Sequence, residues 1–200
     1  TNAVTLFPNK AILVSVPRFG GTFTEGIIGT PRFINPVLAI NNADKDLTKL
    51  IYSGLMKHAE NGELVVNIAE SFTVTNDQKT YTFKLKDNVY FHNNTKVTAD
   101  DIIYTVETIQ NPLIKSPLKT SWEGVEVKKI DDRTIVFNLK QSYISFLENT
   151  TVGILPSKKW NSLTPEQFSL SDLNTKPIGT GPYKIDKIIK NNSGIPTSYI

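Results

Sequence analysis

In the stretch Tyr81-Thr82-Phe83-Lys84-Leu85-Lys86, apolar and polar residues alternate without a break. A period of two puts Tyr81, Phe83 and Leu85 on one face of a strand and Thr82, Lys84 and Lys86 on the other, so one face is core and the other is wet. Shortly after, Thr98-Ala99-Asp100-Asp101 places a hydroxyl three residues ahead of a carboxylate, a close variant of the capping box. Ile102, Ile103, Val106 and Ile109 then recur at helical spacing, and Asn111-Pro112 stops the helix. A half-buried strand followed by an amphipathic helix points to an α+β chain, with a mixed sheet and flanking helices.

Working outward, Val125 and Val127, then Ile135, Phe137 and Leu139, predict two strands around the turn Asp131-Asp132. Upstream, Phe72 to Thr75 is extended, Asn76-Asp77-Gln78 links it to the Tyr81 strand, and Asn61-Gly62 is a turn. Leu47, Leu50, Ile51 and Leu55 predict an amphipathic helix from Asp44, as N-cap, to Lys57. Residues 1–10 read as a tail, Ala11 to Val16 as a short buried strand, Gly20-Gly21 as a turn and Thr22 to Ile28 as a second strand. Downstream, Ser142 to Asn149 reads as a short helix, and Pro156 to Thr175 holds two more helical pieces. The loop Pro177 to Pro182 feeds a last strand, Tyr183 to Ile189. After the turn-like Asn191-Asn192-Ser193-Gly194 no closing helix follows, and the end at Ile200 reads as a cut.

The 200 residues are 39% hydrophobic and 20% charged, which excludes a disordered tail or a fibre. A formal charge of +3 is too small an excess to argue for nucleic acid. Nineteen of the 22 basic residues are Lys, which reflects coding bias more than function. The run Ala11 to Val16 is far short of the roughly 20 apolar residues that cross a bilayer, and no signal peptide is expected in the chain as it stands. The absence of cysteine excludes disulfides, thiolate metal sites and a Cys nucleophile, and fits an exported bacterial protein better than a cytosolic enzyme.

No catalytic constellation emerges. His58 and His92 have no second His at metal-ligand spacing, so no metal site and no cofactor are expected; both, His58 read as following a helix C-terminus, are expected in structural or surface roles. Ser53-Gly54 lacks the G-x-S-x-G pattern of a nucleophile elbow. Gly179-Thr180-Gly181-Pro182 is a tight turn before a strand and not a phosphate loop, because Pro182 has no N–H and no Lys-Ser/Thr pair follows. The paired carboxylates Asp100-Asp101 and Asp131-Asp132 belong to a helix start and a hairpin turn. What remains is the polar, Pro-broken loop from Ile34 to Ala43, between a strand and a capped helix, where ligand contacts commonly sit. Trp122, near a turn, reads either as core or as the wall of a pocket.

In order along the chain stand Asn35-Pro36, Leu50 to Leu55 (LIYSGL), Gly62-Glu63-Leu64 with Ile68 to Phe72 (IAESF), and Tyr81 to Lys86. They are followed by Val89 to His92 (VYFH), Val97 to Ile102 (VTADDI), Asp131 to Phe137 (DDRTIVF) and Gly179 to Tyr183 (GTGPY). This series resembles the N-terminal part of the bacterial extracellular solute-binding proteins of family 5, the dipeptide, oligopeptide and nickel-binding group serving ABC importers. The resemblance runs from about Gly21 to Ile189.

It implies part of a type II periplasmic-binding-protein clamshell, the N-terminal lobe without its second lobe, and therefore a fragment that cannot close around a ligand. Residues 1–43 would be the first strands of the main lobe, 44–176 its smaller α+β subdomain and 177–200 a truncated return strand. By position, Ile40, Asn41, Asn42 and Ala43 would line the pocket, and Trp122 falls near an aromatic of peptide-binding members. Two departures stand out: Asn93-Asn94 replaces Asp-Gly after Phe-His, and Ile40 offers no acidic group for a ligand amino terminus. The implied function is non-catalytic capture of short peptides, or a related small solute, for ABC permease subunits in the membrane. The receptor would be a monomer outside the cytoplasm, lipid-anchored in its precursor. A nickel chelate or oligosaccharide receptor and the sensing domain of a regulator are the alternatives.

Overall fold

Tyr81, Phe83 and Leu85 turn inward because they line the buried face of a four-stranded sheet in this computed structural model, which describes residues 2–7, 10–15, 24–143 and 145–200. In chain order, β1 (Asn2–Phe7) and β2 (Lys10–Ser15) form a hairpin, and α1 covers Asn42–Ile51. The small hairpin of β3 (Met56–His58) and β4 (Leu64–Val66) precedes β5 (Ala69–Val74) and β6 (Thr80–Leu85). Helix α2 (Ala99–Gln110), a 3-10 turn (Lys119–Trp122), β7 (Val125–Asp131) and β8 (Thr134–Leu139) follow. The short helices α3 (Phe146–Asn149), α4 (Ser157–Trp160) and α5 (Pro165–Phe168) lead to a second 3-10 turn (Asp172–Asn174). The hairpin of β9 (Ile188–Lys190) and β10 (Pro196–Tyr199) completes the described elements.

The large sheet runs β5-β6-β8-β7. Every described strand pair is antiparallel, so no parallel member of the expected mixed sheet lies among the described residues. Ile135, Phe137 and Leu139 of β8 join the β6 residues on the buried face. Phe137 sits edge-on to Phe83 at 5.7 Å and to Phe146 at 5.5 Å, so α3 closes one end of the sheet with an aromatic side chain. Helix α2 packs on β7 and β8 through Ile102, Val106 and Ile109.

The capping box of α2 forms as expected, and its carboxylate does more than cap. Asp101 Oδ2 accepts from the Thr98 N–H (2.9 Å), while Oδ1 accepts from both the N–H and the hydroxyl of Ser157 (2.8 and 2.7 Å). One buried carboxylate thus ties the start of α2 to the start of α4. The Asn93-Asn94 turn also forms: Asn94 adopts a positive φ of 63° and donates to Phe91 O, and Asn93 Oδ1 accepts from Thr95.

Several expectations are corrected. The N-terminal tail contains β1, paired with β2, because a hairpin partner is a property of tertiary structure. Residues 24–28 of the expected Thr22 to Ile28 strand are irregular; Thr22, Phe23 and the Gly20-Gly21 turn lie outside the described residues. Helix α1 is capped by Asn41 and not by Asp44, and it stops at Ile51 instead of Lys57. The stop is imposed from far along the chain: Gly181 N–H donates to Ile51 O (2.7 Å) and Tyr183 N–H to Leu50 O (3.2 Å), taking carbonyls that another turn of helix would use. Met56–His58 then becomes β3, so His58 does not follow a helix; its Nε2 lies 3.0 Å from Glu148. Of the expected last strand, Tyr183 to Ile189, only Ile188 and Ile189 are in a strand, within β9, and Tyr183 pairs with α1 instead.

Candidate functional site

The loop between Ile34 and Ala43 is anchored from three directions. Asn35 is completely buried; its Oδ1 accepts from the Val37 N–H and its Nδ2 donates to Asn174 Oδ1, both at 2.9 Å. Asn174 in turn donates to Phe168 O (2.7 Å), and its carbonyl accepts from the Ile34 N–H (2.8 Å). From a third side the Ser116 hydroxyl donates to Val37 O at 2.6 Å. Val37 and Leu38 are buried, so the loop is fixed at its base by both polar and apolar contacts.

Its outer end is fixed by α1. Asn41 Oδ1 accepts from the Asp44 N–H (2.8 Å) and Asn41 Nδ2 donates to Asp44 Oδ2 (3.0 Å). Asp44 Oδ1 accepts from the main-chain N–H groups of Arg32 (2.6 Å) and Phe33 (3.0 Å), so the buried carboxylate lashes the preceding segment to the helix start. The Tyr199 phenol of β10 is pushed up by burial and, secondarily, by the charge of Asp44.

The expected site residues therefore divide. Ile40, with 64% of its surface exposed, and Asn42 face solvent from a rigid base. Asn41 is exposed as well, but both ends of its amide are engaged in the cap. The Ala43 side chain is buried. Trp122 is also buried, at 2% exposure, among Phe137 and Phe146 with ring centroids 5.9 and 5.8 Å away; the structure places it in the core and not with the loop. Its neighbours Ser121 and Glu123 line a shallow depression of about 670 Å³ at the ends of β7 and β8, which the indole itself does not line. Large aromatics beside turns are core more often than wall, and the strand pairing that encloses this one leaves no local mark. Among the described residues no three His, Asp or Glu side chains gather as a metal-ligand group.

His92 has a defined role next to this region. Its Nε2 lies 2.9 Å from Gly181 O and its Nδ1 accepts from the Gly179 N–H at 3.4 Å, which assigns the proton to Nε2. The ring thereby seats the Gly179 to Pro182 loop against the end of α1. Only glycine fits there, because an added Cβ at Gly181 would lie 2.5 Å from Leu50 O, and one at Gly179 would overlap Ile51 O.

The sequence profile of the bacterial extracellular solute-binding proteins, family 5 Middle, matches residues 63–195. The chain belongs to this family. Among curated relatives, the oligopeptide-binding protein AppA of Bacillus subtilis is 29% identical over 84% of the chain and 32% of its own length. The dipeptide-binding protein of Escherichia coli is 27% identical over 82% of the chain and 35% of its own. The AppA structure in complex with a nonapeptide superposes with a TM-score of 0.77 over 82% of the chain and 34% of AppA, at 27% identity. NikZ from Campylobacter jejuni, in complex with Ni(L-His), gives 0.73 over 83% of the chain and 32% of NikZ, at 29% identity. The chain thus spans about a third of the length of these family members, as one part of their type II binding-protein fold. No helix among the described residues is long and apolar enough to cross a membrane.

Proposed function

We propose that the complete protein carrying this chain is the substrate-binding receptor of an ABC import system. It captures short peptides outside the cytoplasmic membrane and delivers them, as a monomer without catalysis, to permease subunits. The observation that carries this reading is the family match over residues 63–195, together with the peptide-binding names of its curated relatives. Residues 1–43 and 177–200 serve as pieces of the main lobe, residues 44–176 as its smaller subdomain, and a lipid anchor on the precursor holds the receptor at the membrane face.

Within the chain, the reading is supported by the loop that ends in Ile40, Asn41 and Asn42. A rigid base holding an exposed apolar residue and an exposed amide is suited to a ligand recognised through its backbone and one side chain, because little freedom is lost on binding. Ala43 supports the site from within the core, whereas Trp122 belongs to the aromatic core around Phe137 and Phe146.

Mass spectrometry of small molecules released from the natively purified complete protein tests this. A series of short peptides is the expected result. A nickel chelate, the ligand class in the NikZ structure, would retain the receptor role and replace the substrate, whereas a sugar or an empty site would remove the peptide assignment.

A further inference from the structure

Three arginines occur in the chain: Arg18, Arg32 and Arg133. Arg133 is fully committed, pairing with Glu70 at 3.0 Å and Asp87 at 2.8 Å while donating from Nε and Nη2 to Leu85 O. Arg32 is held just as firmly through its main chain, by the buried carboxylate of Asp44, but its guanidinium has a different environment. It stacks 5.0 Å above the ring of Phe33, which itself packs on the core. Among the described residues no carboxylate lies within 4.0 Å of it, and the residues outside that set include no Asp or Glu.

Two exposed apolar side chains belong to the adjoining backbone segments. Ile28 is 97% exposed and Ile40 64% exposed. A methyl added at Gly29 would sit 3.6 Å from Ala43 Cβ, so the segment bearing Ile28 and Arg32 runs beside the turn that presents Ile40 and Asn42. A guanidinium that rests over an aromatic ring and whose backbone is tied down can meet a carboxylate in fork geometry at reduced entropic cost. Two exposed isoleucines on the adjoining segments lower the free energy further if the same ligand covers them.

We propose that Arg32 is a specificity-determining residue that pairs with a carboxylate of the bound solute, while Ile28 and Ile40 receive the apolar group next to that carboxylate. Resting on the receptor reading above, the assignment names the ligand class: a free acid with a neighbouring apolar side chain, as at the carboxy terminus of a short peptide.

The test uses the complete protein and a pool of random synthetic tetrapeptides, made once as free acids and once as carboxy-terminal amides, with retention counted by native mass spectrometry. Wild type is expected to retain acids over amides by about tenfold, as the loss of a charge-assisted pair implies. Arg32→Gln should bring acids down to the amide level, leave amide retention unchanged and, the side chain being exposed, leave the melting temperature in place. Arg32→Lys should recover part of the preference. Equal retention of acids and amides by wild type, or an equal loss of both in Arg32→Gln, overturns the assignment and leaves the receptor reading intact. Retention of neither pool removes the peptide reading and this assignment together. A third arm with N-acetyl amino acids identifies the source of the carboxylate: binding as tight as that of the peptides makes the ligand a small acid, still held by Arg32.

Discussion

Asn35 Nδ2 donates to Asn174 Oδ1 at 2.9 Å with both residues buried, joining positions 139 residues apart at the base of the candidate ligand loop. Neither amide has an alternative partner in water, so each depends on the other. Asn35→Ala strands the Val37 N–H and the Asn174 oxygen, and is expected to lower stability by about 1–3 kcal/mol for each buried group left unpaired. Urea denaturation measures this; an unchanged midpoint would show that the pair contributes nothing net.

Asp101 presents both carboxylate oxygens to N–H and O–H donors only. Asp101→Asn keeps the shape but turns one acceptor into a donor that faces donors. We expect a loss of about 2 kcal/mol or more, partly shared with Ser157→Ala in a double-mutant cycle. Additive losses would mean that α2 and α4 are not coupled through this carboxylate.

Glycine is required where the Gly179 to Pro182 loop meets α1. Gly181→Ala meets the Leu50 carbonyl and should destabilise by at least the roughly 1–3 kcal/mol usual for overpacking, because the obstacle is backbone. Gly26→Ala is the control, since an added methyl there meets no atom of the described residues within 4 Å. Thermal melts of the two variants should separate clearly; similar melts would show that the loop can move away from α1 freely.

Two turn aspartates should set part of the acid response. The Thr75 hydroxyl first and the Lys79 N–H second hold the Asp77 carboxyl below its ordinary 3.8, and the Arg133 N–H followed by the Thr134 hydroxyl does the same for Asp131. With folded values depressed, each contributes stability that is fully present above the unfolded value and is lost as pH falls through the folded one. Carboxyl NMR titrations should give midpoints below 3.8 at both sites, and Asp77→Asn should remove its share of the acid-side loss. Midpoints at or above 3.8 would cancel this expectation.

Asn42 is exposed at the tip of the anchored loop, so Asn42→Ala in the complete protein should weaken peptide binding with little change in melting temperature. Calorimetry showing unchanged affinity would remove the loop from the site. The 200-residue chain alone should gain no thermal stability from peptide, since linkage requires an intact site. A dose-dependent rise would mean that this part of the fold binds unaided.

Legibility in the sequence followed the range of the forces involved. The alternation of Tyr81, Phe83 and Leu85, the Thr98 to Asp101 cap and the turn at Asn61-Gly62 are local, and all are seen in the structure. Helix α1 shows where local reading fails: Leu55 continues the helical period, yet the helix ends at Ile51 because its carbonyls are taken by residues 181 and 183. The position of the cap has a related cause. Asn41 and Asp44 are both good caps, and only the N–H groups of Arg32 and Phe33 draw Asp44 to the inside. For the candidate site, Ile40 and Asn42 could be read from a polar loop before a helix, but the burial of Trp122 depends on Phe137 and Phe146, which no nearby residue announces.

The contacts at the end of α1 also order events in time. Ser53 N–H and hydroxyl meet Thr180 across 127 residues, beside the pairing of Gly181 with Ile51. Closing so long a loop is slow compared with forming a helix or a hairpin, so the last turn of α1 is completed late. A growing polypeptide that does not yet include Gly179 to Tyr183 would hold this helix with open carbonyls, and the nascent chain would stay unlocked until that short segment arrives.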